Sequence, residues 1–315
     1  MRKALLLSAG AALATAIGPA AIGQTTPVFK AHTDLVVLHV TVTDRHGAYV
    51  GGLPPDAFRV FEEDRPQAVR FFAPADTPVT VGLLIDSSGS MIHVRDRVIA
   101  ASASFIDSSN PLDESFAVVF NDDVTRLPVS TGFFSGANTL RSALETVFVP
   151  AGRTKLYDAI VEGLSYVATG MRDRRVLVVL SDGGDNASRT TFADLLTSTR
   201  ASNVVLYTIA LLDPLDEDAD PKRLKQLAET SGGSAFNPRD VAGVAQAFEW
   251  ISRDVRSSYT LGYQPSDTDA RPGLRRLRVE VHAPDGRRLV TRTRNAYIAG
   301  QPIHFPHDSE AGHAR

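Results

Sequence analysis

The legible pattern begins with a strict alternation. Val36, Leu38, Val40 and Val42 alternate with Val37, His39, Thr41 and Thr43, which predicts a strand with one buried face. Shorter runs around Phe58–Phe61 and Ala68–Phe72 predict two more strands, set off by the turn-like Asp44-Arg45-His46-Gly47 and Glu63-Asp64-Arg65-Pro66. From Val79 the pattern changes. Thr80–Ile85, Phe116–Phe120, Val176–Leu180 and Val204–Leu211 are continuous apolar runs, as expected of strands covered on both faces. Helical spacing separates them: Val94, Val98, Ala101 and Phe105; Leu140, Leu144 and Val147; Leu156, Ile160, Leu164 and Val167. Val124–Val129 is a candidate to pair beside the second run. Further helices are expected near Phe192–Arg200, after Pro221 and from about Val241 to Val255, with a short strand at Ser234–Phe236. Repeats of this kind predict an α/β fold built on a doubly wound, mostly parallel sheet.

Beyond Val255 the alternation returns. Tyr259, Leu261 and Tyr263 mark one strand, and Leu274–Ala283 and Arg287–Ala296 flank Asp285-Gly286, a two-residue hairpin signal. Three strands before the α/β block and three after it predict one smaller, all-β sandwich-like part into which the α/β domain is inserted. The expected organisation is a signal at 1–23, a β segment at 28–77, the α/β domain at 78–257, a second β segment at 258–298 and a polar, flexible tail at 299–315.

The start of the chain changes where this fold is expected to work. Met1-Arg2-Lys3 is basic, Ala4–Ala16 is apolar, Pro19 breaks the run, and the small residues Ala21 and Gly23 come next. This predicts a secretory signal cleaved near Gly23-Gln24, hence a periplasmic or secreted protein. An anchor helix retained in the membrane is the rival reading, since no charge lies between Lys3 and Lys30. No later stretch is apolar for long enough to span a bilayer. The chain has no cysteine, which excludes disulfides, thiol catalysis, zinc–thiolate sites and an N-terminal lipid-modified Cys. A net charge of −3 confines any charge-driven recognition to local patches.

The candidate chemistry lies just past the first buried run. Asp86-Ser87-Ser88-Gly89-Ser90 stands at the carboxyl end of a strand, where open α/β sheets place ligands. Asp86, Ser88 and Ser90 offer a carboxylate and two hydroxyls, hard donors suited to Mg²⁺, with Mn²⁺ and Ca²⁺ as alternatives. Thr154 precedes a helix, and Asp182 ends another buried strand, so parallel strands bring Asp86 and Asp182 to the same rim. Taken alone, Asp-x-Ser-x-Ser is equally the composition of a helix cap.

This set of Asp-x-Ser-x-Ser, an isolated threonine and Ser-Asp-Gly resembles the metal-ion-dependent adhesion site of von Willebrand factor type A domains, over about residues 78–257. With its flanking β segments and signal, the chain is similar to the bacterial proteins of that family. The resemblance implies a divalent cation held by Asp86, Ser88, Ser90, Thr154 and Asp182. The cation would grip an Asp or Glu of a partner protein, and the final helix near Val241–Val255 would shift as Thr154 changes its contact. Two carboxylates leave such an ion with little surplus negative charge around it, which favours one more anionic oxygen.

Other features point less sharply. Asp185 and Asn186, close behind Asp182, could reach the ion or a water, but a solvated loop or a cap for the helix near Thr190 is favoured. Asp213, Asp216, Glu217, Asp218 and Asp220 are a candidate Ca²⁺ stretch that lacks the glycine and spacing of a calcium loop and is read as a solvated turn. The arginine-rich stretch Arg271–Arg294, with Arg276 and Arg278 opposite Arg292 and Arg294 across the hairpin, offers a basic face for an anionic surface or a solvated strand face. It lacks interleaved aromatics, which argues against nucleic acid. His304, His307 and His313 lie in the tail. Enzymatic activity is not expected: the phosphatase pattern needs a second carboxylate where Ser88 stands, and no nucleophile elbow, phosphate loop or zinc-protease helix appears. The competing reading is a structural component of a cell-envelope assembly, in which the metal only stabilises the fold.

Overall fold

The computed structural model of the protein describes residues 35–130, 132–134, 136–212, 218–266 and 272–300. The signal segment, the tail histidines, Arg271, Asp213, Asp216 and Glu217 lie outside these residues.

Among the described residues, 14 strands and six α-helices occur in order. They are β1 (Val36–Asp44), β2 (Phe58–Glu62), β3 (Arg65–Gln67), β4 (Val69–Ala73), β5 (Val79–Asp86), α1 (Arg95–Asp107), β6 (Glu114–Phe120), β7 (Val124–Leu127), α2 (Ala137–Val147), α3 (Leu156–Val167) and β8 (Arg174–Ser181). The remainder are α4 (Phe192–Ala201), β9 (Val204–Ala210), α5 (Pro221–Ser231), β10 (Ala235–Phe236), α6 (Val241–Ser257), β11 (Tyr259–Tyr263), β12 (Gly273–Val281), β13 (Leu289–Arg292) and β14 (Ala296–Ala299). The continuous apolar runs become the central sheet, ordered β10-β9-β8-β5-β6-β7, parallel except for β7 at one edge.

Alternate residues of these strands feed two cores. Leu83 and Ile85 face one with α1, α2 and α6, whereas Leu84, Phe116 and Leu177 face the other with α3, α4 and α5. Burying each such side chain contributes about 1.5–3 kcal/mol. Gly82 serves this packing by its lack of a side chain, since a Cβ there would sit 2.4 Å from the Phe116 ring. Among the described residues no helix is long and apolar enough to cross a membrane.

The flanking β part forms two four-stranded sheets, β13-β1-β11-β4 and β14-β12-β2-β3. The chain leaves after β4, builds the α/β block, and returns with β11 inserted between β1 and β4. Val40, Leu38, Leu261, Tyr259 and Val60 fill the core between the sheets. One expectation fails here. The turn at Asp285-Gly286 forms, with Gly286 at φ +75° and its N–H donating to Ala283 O, but its flanks do not pair as a hairpin. β12 joins β2 and β14, and β13 crosses to the open edge of β1. Arg292 at the end of β13 finds its carboxylate there, on Asp254 of α6. The stretch Glu63–Pro66 likewise holds more than a turn, because β3 begins at Arg65 and pairs with β2.

Where β1 and β11 meet the α/β block the junction is polar and cationic. Arg174 donates to Val255 O and Ser258 O at the end of α6, and Arg294 donates to Ser202 O beyond α4 at 2.8 Å. His39 lies among them, its Nε2 shielded from solvent. Burial, reinforced by the charges of Arg174 and Arg294, pushes its imidazole down to about 3. The folded chain therefore binds its proton less readily than the unfolded chain, whose histidine titrates near 6.5. Stability contributed by the neutral ring is complete above that pH and is lost as pH falls toward 3. Between pH 7 and pH 5 this one group is expected to cost about 2 kcal/mol. Urea unfolding of the native chain and of His39→Gln at both pH values checks it: the variant should lose that much less on acidification, and an equal loss would contradict the assignment.

Candidate metal centre

β5 and β8 are neighbours, and their ladder pairs Ile85 with Leu180. One residue further on the side chains meet: Ser181 Oγ donates to Asp86 Oδ2 at 2.7 Å. The chain leaves β5 toward β6 on one side and leaves β8 toward β9 on the other. The switch in strand order therefore lies between them, and a crevice opens at the carboxyl ends.

Oxygen atoms line this crevice. Ser88 Oγ lies 3.2 Å from Ser90 Oγ, and Ser90 Oγ donates to Asp182 Oδ2 at 2.7 Å. Backbone N–H groups hold the carboxylates from behind, Ser88 on Asp86 Oδ1 and Gly184 on Asp182 Oδ1, both at 2.8 Å. Asp86, Ser88, Thr154 and Asp182 are buried, and Ser90 is half-buried. Gly183, at φ +91°, lets the loop turn where a Cβ would meet Asp220 O at 2.5 Å.

Thr154 sits on the loop before α3, which is tied to both others. Ala151 N–H donates to Ser87 O at 2.9 Å. Thr154 N–H donates to Asn186 Oδ1 at 2.9 Å, and Thr154 O accepts from the N–H groups of Asn186 and Ala187 at 3.1 Å. The structure thus joins Asp86, Ser88, Ser90 and Asp182 through one set of side-chain and backbone hydrogen bonds, and fixes the Thr154 loop against the loops that carry them.

Burial pushes the Asp86 carboxyl up to about 6, against the hydrogen bonds from Ser181 and Ser88; the charge of Asp182 adds to the rise. A helix-cap role for the serines does not hold: Ser88 precedes a short 3-10 turn at Gly89–His93 yet makes no side-chain cap bond. The donor set fits a hard cation. Oxygens at about 2.1 Å from an octahedral Mg²⁺ stand about 3 Å apart, close to the 2.7 and 3.2 Å spacings seen here. Among the described residues no group of three or more His, Cys, Asp or Glu converges anywhere, so zinc- or copper-type sets are not present there.

One contributor escapes the sequence, and a second is set aside there in favour of a solvated loop. Ser181 looks like a strand-end residue, and its role emerges only from the pairing of β5 with β8. Asn186 positions Thr154 and donates to Asp218 Oδ2 at 3.1 Å, so it is more than a solvated loop residue. Asp185 caps α3 rather than the helix near Thr190, accepting from Tyr157 N–H at 3.1 Å; α4 is capped by Thr191. The arginine-rich stretch does not make one basic face. Arg276 pairs with Glu63 and Arg278 with Glu280, both on the surface, whereas Arg292 bonds Asp254 and Arg294 is buried.

Sheet, switch point and oxygen-lined loops together define an open-sheet α/β domain with a candidate site at the carboxyl ends of its strands. Residues 81–250, over half of the chain, match the model of the von Willebrand factor type A domain, and the chain belongs to that family. Solved structures similar to it include a von Willebrand factor type A protein from Catenulispora acidiphila, 14% identical, covering 84% of this chain and 72% of that one, with a TM-score of 0.47. An aerotolerance-related membrane protein from Bacteroides fragilis is 13% identical, covering 56% and 98%, with a TM-score of 0.44. The von Willebrand factor domain of a type V pilus tip protein from Porphyromonas gingivalis is 15% identical, covering 57% and 95%, also with a TM-score of 0.44. No curated protein matches the chain.

Proposed function

We propose that this chain is an exported, adhesion-type binding module rather than an enzyme. Its Asp86, Ser88, Ser90, Thr154 and Asp182 would hold a divalent cation, Mg²⁺ foremost, and grip an Asp or Glu of a partner protein through it. The observation that carries this reading is the run of oxygens from Ser88 through Ser90 to Asp182, spaced at 3.2 and 2.7 Å beside the buried Asp86. When bound, the cation supplies a Lewis-acidic point that favours an added anionic oxygen. The protein's own part is to keep the carboxylates oriented and partly desolvated before binding, which Ser181, Ser88 N–H and Gly184 N–H do. The basic and apolar start of the chain supports export.

Water-proton relaxation with Mn²⁺ tests the grip. The Mn²⁺-loaded chain should relax water strongly, and an aspartate-containing peptide should reduce that effect where the asparagine counterpart does not. Relaxation unmoved by either peptide would support a site that only stabilises the fold. Asn186→Ala, which frees the Thr154 loop, is expected to weaken Mg²⁺ binding about 10- to 100-fold with little change in the thermal midpoint of the metal-free chain. Calorimetric titration reads this directly, and unchanged affinity would remove Asn186 from the site.

A further inference from the structure

A groove of about 300 Å³ includes Ser90 in its lining. Val98 of α1, Leu211 after β9 and Val244 of α6 give it an apolar lining, and Leu212, 39% exposed, stands at its lip. Exposed Arg97, Arg239 and His93 edge it. Neither Arg97 nor Arg239 has an acidic partner among the described residues. Among the described residues the one carboxylate lining it, Asp240, caps α6, accepting from Gly243 N–H at 2.8 Å. The groove thus combines an apolar lining with two exposed guanidinium groups and shares Ser90 with the oxygen cluster.

We infer that the partner offers an extended acidic segment: an Asp or Glu anchored at the metal, then an apolar side chain seated in this groove, then a second carboxylate paired with Arg97 and Arg239. This rests on the cation reading above and deepens it. Charge complementarity sets the last position, because guanidinium groups pair with carboxylates. The slot's apolar lining sets the middle one, and its volume easily admits a large aliphatic side chain.

The test uses the full chain, ¹⁵N-labelled, with three acetylated and amidated peptides: Gly-Asp-Leu-Glu-Gly, Gly-Asp-Ser-Glu-Gly and Gly-Asn-Leu-Glu-Gly. With Mg²⁺ present, the first should shift the amides of Arg97, Leu212 and Val244 and bind about tenfold more tightly than the second. The third should bind far more weakly than the first. Arg97→Ser and Arg239→Ser, at exposed positions, should each weaken the first peptide at least about threefold while Mn²⁺ broadening of the Ser88 and Ser90 signals stays unchanged. Equal affinity for the leucine and serine peptides, or shifts confined elsewhere, would overturn the groove assignment. So would an absence of peptide binding while Mn²⁺ still broadens those signals, an outcome that leaves the cation site standing. Absence of Mn²⁺ broadening overturns the cation reading and, with it, the anchor on which the segment depends.

Discussion

Asp254→Ala is expected to lower the unfolding free energy by about 3 kcal/mol, toward the lower end of what breaking a buried ion pair costs. Asp254 is fully buried on α6 and accepts from Thr41 Oγ1 at 3.1 Å, from Tyr207 and from Arg292. Removing it takes the one carboxylate from a guanidinium and two hydroxyls, leaving Arg292 with Gly232 O and Thr41 Oγ1, and Thr41 with Ser258 Oγ. The Arg292 side chain keeps 28% of its exposure, so water offsets part of the loss. A loss of this size is a large share of the roughly 5–15 kcal/mol that holds a typical domain folded. The effect reaches beyond the helix because β1 supplies Thr41, β13 supplies Arg292 and β9 supplies Tyr207. One carboxylate thus ties the sandwich to the central sheet through α6. Urea unfolding measures it, and the double variant Asp254→Ala with Arg292→Met should recover much of the deficit. A loss under about 1 kcal/mol would show that the junction stands instead on apolar packing, such as that of the Trp250 ring of α6 against the rings of Tyr49 and Tyr207.

Asp86→Asn is expected to do the opposite in the metal-free chain at pH 7, raising stability by about 1–3 kcal/mol. The folded carboxyl titrates at about 6 against 3.8 for the ordinary group, chiefly because burial disfavours its charge. Between those pH values the folded chain holds a proton that the unfolded chain has released. Stability therefore falls as pH rises through this window, and the penalty is complete above about 6. Asparagine cannot ionise, so the advantage of the variant should vanish below about pH 4 and level off above about pH 6. Unfolding in chelator across that range reads the curve. A variant less stable than the native chain at pH 7 would contradict the picture of Asp86 as a carboxylate kept desolvated for a ligand.

Much of this was legible because it is local. The four short, continuous apolar runs read as strands covered on both faces, and they became β5, β6, β8 and β9. Once those strands are parallel, Asp86 and Asp182 must share an edge. What stayed hidden depends on partners distant in sequence. Arg292 and Arg294 carry the charge of surface residues, and nothing nearby signals that Asp254 and the carbonyl groups of Ser202 and Val37 receive them. The Asp285-Gly286 turn is a turn, as its residues signal, but not a hairpin, because turn chemistry fixes a reversal and not which edge the next strand finds. Asn186 was undervalued for the same reason: its amide acts on Thr154, 32 residues away.

Calorimetric titration of the protein with Mg²⁺ and Mn²⁺, beside Asp86→Asn, tests the central claim most directly. One site is predicted in the native chain and none in the variant, with the variant folded and, in chelator, at least as stable. No binding to the native chain, or binding that survives the loss of Asp86, would contradict the assignment of this crevice as a cation site.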